Sequence, residues 1–530
     1  MILRSPHPEV RIPRRALYDF VLGERGGRAG DVALADAATG RVVTYGDLRE
    51  CIRRVAAGLA ALGISKGDIV ALWSPNSPEF AIAFHAVARL GAIVTTANPS
   101  GTPHELALQL RDANAKMLIT TAALADSARA AIAECGGAIE LITTDDAPGV
   151  PSLTSIARDA DPPPVDIDPD NDVVALPYSS GTTGLPKGVM LTHRNLVANL
   201  LQVDAIERGD LRALIGVLPF FHIYGMVVIL NFGLMRGATI VTLPRFELEP
   251  FLKALQDWPI AVAHIVPPIA VALAKHPAVE NYRLPHLEAL FSGAAPLSAA
   301  VTNAVQRRLN VTLKQGYGMT EASPVTHYTA HASEVRLGTV GQLAPSTECR
   351  IVDVESGHDA GIGRTGEVWI RGPQIMKGYL NNPEATARTV DRDGWLHTGD
   401  IGMVDADGYL TIVDRLKELI KVKGYQVAPA ELEALLLTHP GVADAAVIPV
   451  DDEECGQVPK ALIVPRAGLV PNEVIAFVQE RVAHYKRVRH VGFVDAIPKS
   501  ASGKILRRVL MEREHSNDER AQAAAARLNP

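Results

Sequence analysis

The stretch Ser179-Ser180-Gly181-Thr182-Thr183-Gly184-Leu185-Pro186-Lys187-Gly188-Val189 gathers four hydroxyls, three glycines and one cation into a single loop. That combination suits a polyphosphate. Glycines let backbone N–H groups approach an anion closely, hydroxyls donate further hydrogen bonds, and Lys187 supplies a mobile positive charge. The apolar run Val173-Val174-Ala175-Leu176 just before it reads as a buried strand, so the loop leaves the end of a sheet. It is not a P-loop, because Lys187 follows Pro186 and precedes Gly188 instead of forming Gly-Lys-Ser/Thr at the start of a helix. A plain Gly/Ser/Thr connector is the competing reading.

On either side of this loop the pattern is α/β. Tyr45 to Leu62 reads as helix, Ile69 to Trp73 as strand, Pro78 to Leu90 as helix and Ile93 to Ala97 as strand. A Pro/Asp-rich connector, Asp159 to Asp172, follows, and α/β alternation resumes from Asn195 to Leu309. Short strands and turns from Gly338 to Val413 read as a small β-rich subdomain. Near Asp414 the pattern changes to a compact α+β tail, so we expect an N-terminal domain over 1–413 and a C-terminal one over 414–530. The Ala-rich end, Glu512 to Asn529, has no clear apolar face and reads as frayed or disordered.

Composition narrows the function. With 530 residues and 47% hydrophobic content, the chain is long enough for several cores. Lys plus Arg number 52 against 59 Asp plus Glu, a net charge of −7, so no basic field announces nucleic acid and small molecules are the expected partners. Cys51, Cys135, Cys349 and Cys455 form no CxxC pair, which argues against zinc or a disulfide framework and fits a reducing cytoplasm. The apolar stretch Met226 to Leu230 is too short to span a bilayer.

Four further segments carry chemistry. In Gln315-Gly316-Tyr317-Gly318-Met319-Thr320-Glu321, an aromatic, a hydroxyl and a carboxylate could stack a purine, bond a phosphate and hold Mg²⁺; a structural turn is the alternative. Asp400, closing Gly394-Trp395-Leu396-His397-Thr398-Gly399-Asp400, could accept both hydroxyls of a ribose or merely cap a turn. Arg415, Lys417, Lys421 and Lys423 form a cationic run that a solvated surface would also explain. Lys504 ends the flexible Pro498-Lys499-Ser500-Ala501-Ser502-Gly503 loop, where a surface lysine is the ordinary expectation.

Their order is what makes them recognisable. The phrases LPFFHIYG (218–225), QGYGMTE (315–321), GEVWIRG (366–372), GWLHTGD (394–400), DRLKELIKVKGYQVAPAELE (414–433) and PKSASGKILRR (498–508) resemble the adenylate-forming superfamily of acyl-CoA synthetases, adenylation domains and luciferases, and most of all its 4-coumarate:CoA ligase branch. The resemblance runs from about Tyr45 to Arg508. It implies ATP, Mg²⁺ and CoA as co-substrates and cofactor, and a two-step reaction through an acyl-adenylate. It further implies that Ser179, Ser180, Gly181, Thr182, Thr183 and Lys187 grip the β- and γ-phosphates. Gln315, Gly316, Tyr317 and Thr320 would contact adenine and the α-phosphate, Glu321 would ligate Mg²⁺, and Asp400 with Arg415 would hold the ribose, with Lys417 in the same nucleotide-binding run. Lys504 would bridge the acyl carboxylate and the α-phosphate; Lys421 and Gln426 match active-site positions; Lys423, Gly424 and Arg245 match CoA-contacting ones. Asp414 would be the hinge of a mobile C-terminal domain.

For the acyl group, the resemblance points to His222, Tyr224, Gly225, Phe291, Gly293, Ala294, Gly318, Pro324 and Val325. No acid stands at Phe220 to Tyr224 to pair a substrate ammonium, so a carboxylic acid without an α-amine is expected, a 4-coumarate or cinnamate type first. Ser323, Trp369 and Ala294 depart from the plant pattern, and one methyl shifts preference by only ~1 to 3 kcal/mol. A medium- or long-chain fatty acyl-CoA synthetase therefore stays open, as do a non-catalytic acyl or nucleotide sensor, a luciferase-like monooxygenase and a carrier-charging adenylation domain. His222 is either a gate beside the acyl carboxylate or a packed histidine. A monomer or weak homodimer is expected.

Overall fold

The computed structural model describes residues 1–179, 186–207, 209, 211–330, 335–423, 425–452, 455–500 and 503–514, without the side chain of Gln426. The expected rhythm is there: helix Tyr45–Ala61, strand Ile69–Trp73, helix Pro78–Arg89 and strand Ile93–Thr96. These helices, and the next one, Pro103–Ala113, start where a hydroxyl satisfies orphan N–H groups: Thr44 accepts from Asp47, Ser77 from Phe80, and Thr102 forms a full capping box with Glu105.

Strands Val173–Ala175, Ile93–Thr96, Ile69–Trp73, Met117–Thr120 and Glu140–Thr143 lie side by side in parallel, with Lys187–Thr192 and Gly378–Tyr379 added antiparallel at one edge. Being covered on both faces, these strands are rich in Val, Ile and Leu, with Thr closing Ile93–Thr96, Met117–Thr120 and Glu140–Thr143. A second sheet orders Val262–Ile265, Ala289–Ser292, Thr312–Gly318, Val325–Tyr328 and Gln342–Leu343, and a smaller one joins Ala213–Gly216, Thr239–Thr242, Val32–Asp36 and Val42–Thr44. The connector from Asp159 to Asp172 contains no helix or strand and is pinned by Arg53 to Asp159 (2.6 Å) and Lys66 to Asp172 (2.6 Å).

Beyond these, an antiparallel sheet packs Leu3–Arg4, Glu348–Val352, Gly366–Arg371, Leu396–Val404 and Leu410–Arg415. After it, strands Ile420–Val422, Tyr425–Val427, Val442–Asp452, Gly456–Pro465 and His490–Phe493 form a sheet flanked by helices Pro429–Leu436 and Pro471–Gln479. The hydrophobic clusters of this last unit, built on residues such as Ile420, Leu432, Val447 and Ile463, or Ile448, Leu462 and Leu510, share no member with those before Asp414. The chain is thus a mixed α/β protein with a large N-terminal part and a smaller C-terminal one. Among the described residues no helix is long and apolar enough to cross a membrane.

Candidate active site

Two neighbouring strands at one edge of the antiparallel sheet bring the ribose candidates together. Asp400 and Arg415 are direct cross-strand partners on Leu396–Val404 and Leu410–Arg415, and Arg415 Nε lies 3.2 Å from Asp400 Oδ1. Asp400 is 5% exposed, and its other oxygen accepts the Tyr317 hydroxyl. Burial raises its pKa, opposed by Arg415 and then Tyr317. A buried carboxylate survives only with such partners.

Glu321, also 5% exposed, lies in the short 3₁₀ turn Thr320–Ala322. Its Oε1 accepts hydroxyls from Ser179 (2.9 Å) and Tyr379 (2.8 Å). No protein donor among the described residues takes Oε2. One carboxylate oxygen so placed, beside the mouth of the hydroxyl-rich loop, fits Mg²⁺, which is normally held by one or two carboxylates together with water and substrate phosphates. Lys187 opens strand Lys187–Thr192 and rests its ammonium 5.1 Å from the centroid of the Tyr379 ring. Tyr379 is therefore a shared support that the sequence reading missed, since it reaches the site only through the pairing of Gly378–Tyr379 with Lys187–Thr192. Ser180, Gly181, Thr182 and Thr183 lie outside the described residues.

Lys504 arrives from the C-terminal part. Its loop is closed by Gly503 N–H to the Ser500 carbonyl (2.8 Å) and Ser500 N–H to the Lys504 carbonyl (2.8 Å). Gly503 has φ +81°, and a Cβ there would lie 2.9 Å from Pro268 Cδ of the large part, so both the turn and the approach favour glycine. Lys504 lines a cavity of about 50 Å³ with His222, Tyr224, Phe291, Gly293, Ala294, Gly318, Pro324 and Val325. Ile223, Gly316, Tyr317, Met319, Thr320, His327 and Tyr328 complete the wall. Burial first, then Arg415, lower the Lys504 pKa, while Asp400, Glu321 and Glu418 oppose the drop. A more open depression of about 340 Å³, beside Arg129 and Pro151, is lined mainly by small and aliphatic residues and holds none of these groups.

Within the cavity wall, glycine positions are steric demands. A Cβ on Gly293 would meet the Tyr224 ring at 2.9 Å, one on Gly316 the Phe291 ring at 2.8 Å, and one on Gly318 the Pro324 carbonyl at 2.1 Å. Gly225 is different: it is not in the wall, and its Cβ would strike the Pro219 carbonyl at 2.2 Å, so its place is a packing one. Phe291 stacks on Tyr328 with centroids 4.1 Å apart, and His264 packs against both Tyr224 and Phe291. Behind them, Tyr328 donates to buried Glu207 (3.0 Å). His222, its ring bordering the cavity, is held neutral: burial and Lys504 bring its pKa down to about 3. Ser323 turns away, donating to the Gln374 carbonyl (2.8 Å), whereas Ala294 borders the cavity. Trp369 stacks on His397 at 3.7 Å, outside the wall.

The remaining predicted residues are elsewhere. Gln315, on strand Thr312–Gly318, accepts at Oε1 from Leu297 N–H (3.3 Å) in the segment leading to helix Ala299–Leu309, and is not in the cavity wall. Lys417, Lys421 and Lys423 are exposed. Lys421 faces Gln426 across the pair Ile420–Val422 and Tyr425–Val427, while Gly424 and the Gln426 side chain lie outside the described residues. Arg245 is 80% exposed and pairs with Glu247. Asp414 is buried at the end of strand Leu410–Arg415: one oxygen accepts from Arg415 N–H (2.7 Å) and the other from Ala430 N–H (2.9 Å), which caps helix Pro429–Leu436.

The Asp400–Arg415 pair, the Glu321 carboxylate and the Lys504-lined apolar cavity are thus gathered in one region of the molecule. Residues 25–380 match the AMP-binding enzyme family, and residues 431–504 match the AMP-binding enzyme C-terminal domain. The chain belongs to the AMP-binding enzyme family. It is 45% identical over 525 residues to 4-coumarate--CoA ligase 5 of Oryza sativa subsp. japonica, covering 96% of each, and 46% identical over 534 residues to 4-coumarate--CoA ligase 1 of Petroselinum crispum, covering 98% of each. Among solved structures it resembles ATP-bound MatB from Rhodopseudomonas palustris (TM-score 0.87, 30% identity, 94% and 99% of the chains). The anthranilate CoA ligase AuaEII in complex with anthranoyl-AMP is similar too (0.86, 26%, 95% and 98%). Likeness to apo MatB is lower, at 0.76.

Proposed function

We propose that the protein joins an aromatic carboxylic acid of the 4-coumarate or cinnamate type to CoA, consuming ATP and releasing AMP and pyrophosphate. The observation that carries this is the delivery of Lys504 into the apolar cavity that Tyr317 shares with the Asp400–Arg415 pair. The Phe291–Tyr328 stack, backed by His264, gives that cavity flat, aromatic surfaces, which favour a compact planar acid over an extended alkyl chain.

In the first step a carboxylate oxygen of the acid bonds to the α-phosphorus of ATP, and the bond from that phosphorus to the bridging oxygen breaks, so pyrophosphate leaves. Two anions must meet. The Lys504 ammonium offsets their repulsion, neutral His222 borders the carboxylate end without competing for a proton, and Asp400 with Arg415 fixes the ribose. Gln315, Gly316, Tyr317 and Thr320 would flank the adenine and α-phosphate, and Lys417 would serve the same nucleotide from the surface run. Ser179, Lys187 and the hydroxyls that follow Ser179 would hold the β- and γ-phosphates. Glu321 would hold Mg²⁺, which when bound neutralises phosphate charge. In the second step the CoA sulfur bonds to the acyl carbon, AMP departs with its oxygen, and the thiol proton is released.

The second step needs different groups. We infer that the boundary lies at Asp414, and that rotation about it withdraws Lys504 and brings the exposed Lys421 and Lys423 face, with Gly424 and Gln426, to the cavity. Arg245 would meet CoA at the rim. Greater likeness to ATP-bound than to apo MatB supports the reading that the arrangement seen is the adenylate-forming one. Four free cysteines suit a reducing cytoplasm, and no step needs a second subunit, so a monomer or weak homodimer suffices.

The test is turnover with ATP, Mg²⁺ and CoA on cinnamate, 4-coumarate, caffeate, benzoate, octanoate and palmitate. Phenylpropenoic acids should exceed palmitate in kcat/KM by about 100-fold or more, the equivalent of one or two poorly placed methylenes. Preference for palmitate would replace this reading by a fatty acyl one.

A further inference from the structure

His327 borders the cavity without a part in the chemistry above. It lies on strand Val325–Tyr328 opposite Tyr317, is 1% exposed, and its ring sits 6.0 Å from the Tyr317 ring at 47°. Its neighbour Thr326 donates its one hydroxyl proton to the Tyr317 carbonyl (3.2 Å). The 3.2 Å contact between Thr326 Oγ1 and His327 Nδ1 is then one in which the ring donates. That fixes the Nδ1–H tautomer and makes Nε2 a lone-pair acceptor. Burial brings the ring's pKa down to about 3, so it is neutral at working pH.

Nε2 has no hydrogen-bond partner among the described residues, and the cavity it borders is walled in part by Phe291, Pro324, Val325 and Tyr328. An acceptor that faces such a cavity takes its donor from water when the cavity is free and from the ligand when the ligand displaces that water. The carboxylate of the acid, an acceptor only, belongs at Lys504. Tyr224 is committed as well, donating to the Phe291 carbonyl (3.2 Å) and 3.3 Å from His264 Nδ1. The donor that fits His327 is a hydroxyl or amine on the ring of the acid.

We propose that His327 is a specificity-determining residue whose Nε2 accepts a hydrogen bond from a ring hydroxyl or amine of the bound aromatic acid. This rests on the cavity being the acyl site. The experiment compares kcat/KM for cinnamate, its 2-, 3- and 4-hydroxy derivatives and their methyl ethers in the full-length enzyme, His327→Leu and His327→Gln. The expected result is that one hydroxy acid is preferred to its ether by about tenfold, the size of one hydrogen bond. In His327→Leu that ratio should collapse to near 1, and His327→Gln, which keeps an acceptor, should restore part of it. Equal loss on cinnamate and hydroxy acids, or a ratio indifferent to residue 327, overturns the proposal alone. Turnover of aliphatic acids only overturns it together with the acyl-site reading.

Discussion

Lys504→Ala is expected to lower acyl-adenylate formation by about a thousandfold, the usual scale for removing one preorganised charge from a developing anionic centre. Thioester formation from supplied acyl-AMP and CoA should change far less, because the proposed rotation withdraws Lys504 in that step. Pyrophosphate release and CoA-thioester formation, measured separately, check this. The charge also predicts a pH limit. Burial and Arg415 hold the Lys504 pKa below the ordinary lysine value of 10.5. The ammonium is complete below its lowered pKa and lost as pH rises through it, so the alkaline limb of adenylation should fall below 10.5 and be absent in Lys504→Ala. Equal loss in both half-reactions would contradict the assignment.

The second large effect is acid instability. His85, His193, His264 and His327 are at most 2% exposed, and burial lowers their pKa values to about 3, 4, 4 and 3. Neither His85 nitrogen has a partner, and His193 Nδ1 must stay unprotonated to accept from Leu17 N–H (2.9 Å). The unfolded chain binds a proton to each near pH 6.5, whereas the folded one does not until far lower. Stability is therefore full above 6.5 and lost as pH falls from 6.5 toward 4. At pH 5.5 each ring costs about 1.4 kcal/mol, and the four together about 6 kcal/mol, which is comparable to the whole stability of many domains. Urea midpoints at pH 7.5 and 5.5 should differ accordingly, and His85→Leu should flatten the slope by about a quarter. A midpoint unchanged over that range would contradict the burial argument.

Much of this architecture was legible because its signals are local. Periodicity located the strands Ile69–Trp73 and Ile93–Thr96 to within a residue, and the helices Tyr45–Ala61 and Pro78–Arg89 likewise. Asp400 and Arg415 could be named from their motifs, but not as cross-strand partners, since register is set by pairing between segments. Tyr379, Glu207, His264, His327 and Tyr328 were missed for the same reason. None sits in a chemistry-bearing phrase, and each reaches the site through a tertiary contact. Gln315 and Gly225 show the converse: residues inside a telling phrase whose own contacts are a backbone N–H and a close backbone approach.

The most direct measurement is the product balance of the purified enzyme given ATP, Mg²⁺, CoA and 4-coumarate, read by mass spectrometry and nucleotide chromatography. The account predicts AMP, pyrophosphate and a CoA thioester of the acid in equal amounts, with acyl-AMP accumulating when CoA is withheld. ADP with phosphate, or AMP formed without acyl-AMP or thioester across the aromatic acids, would contradict it.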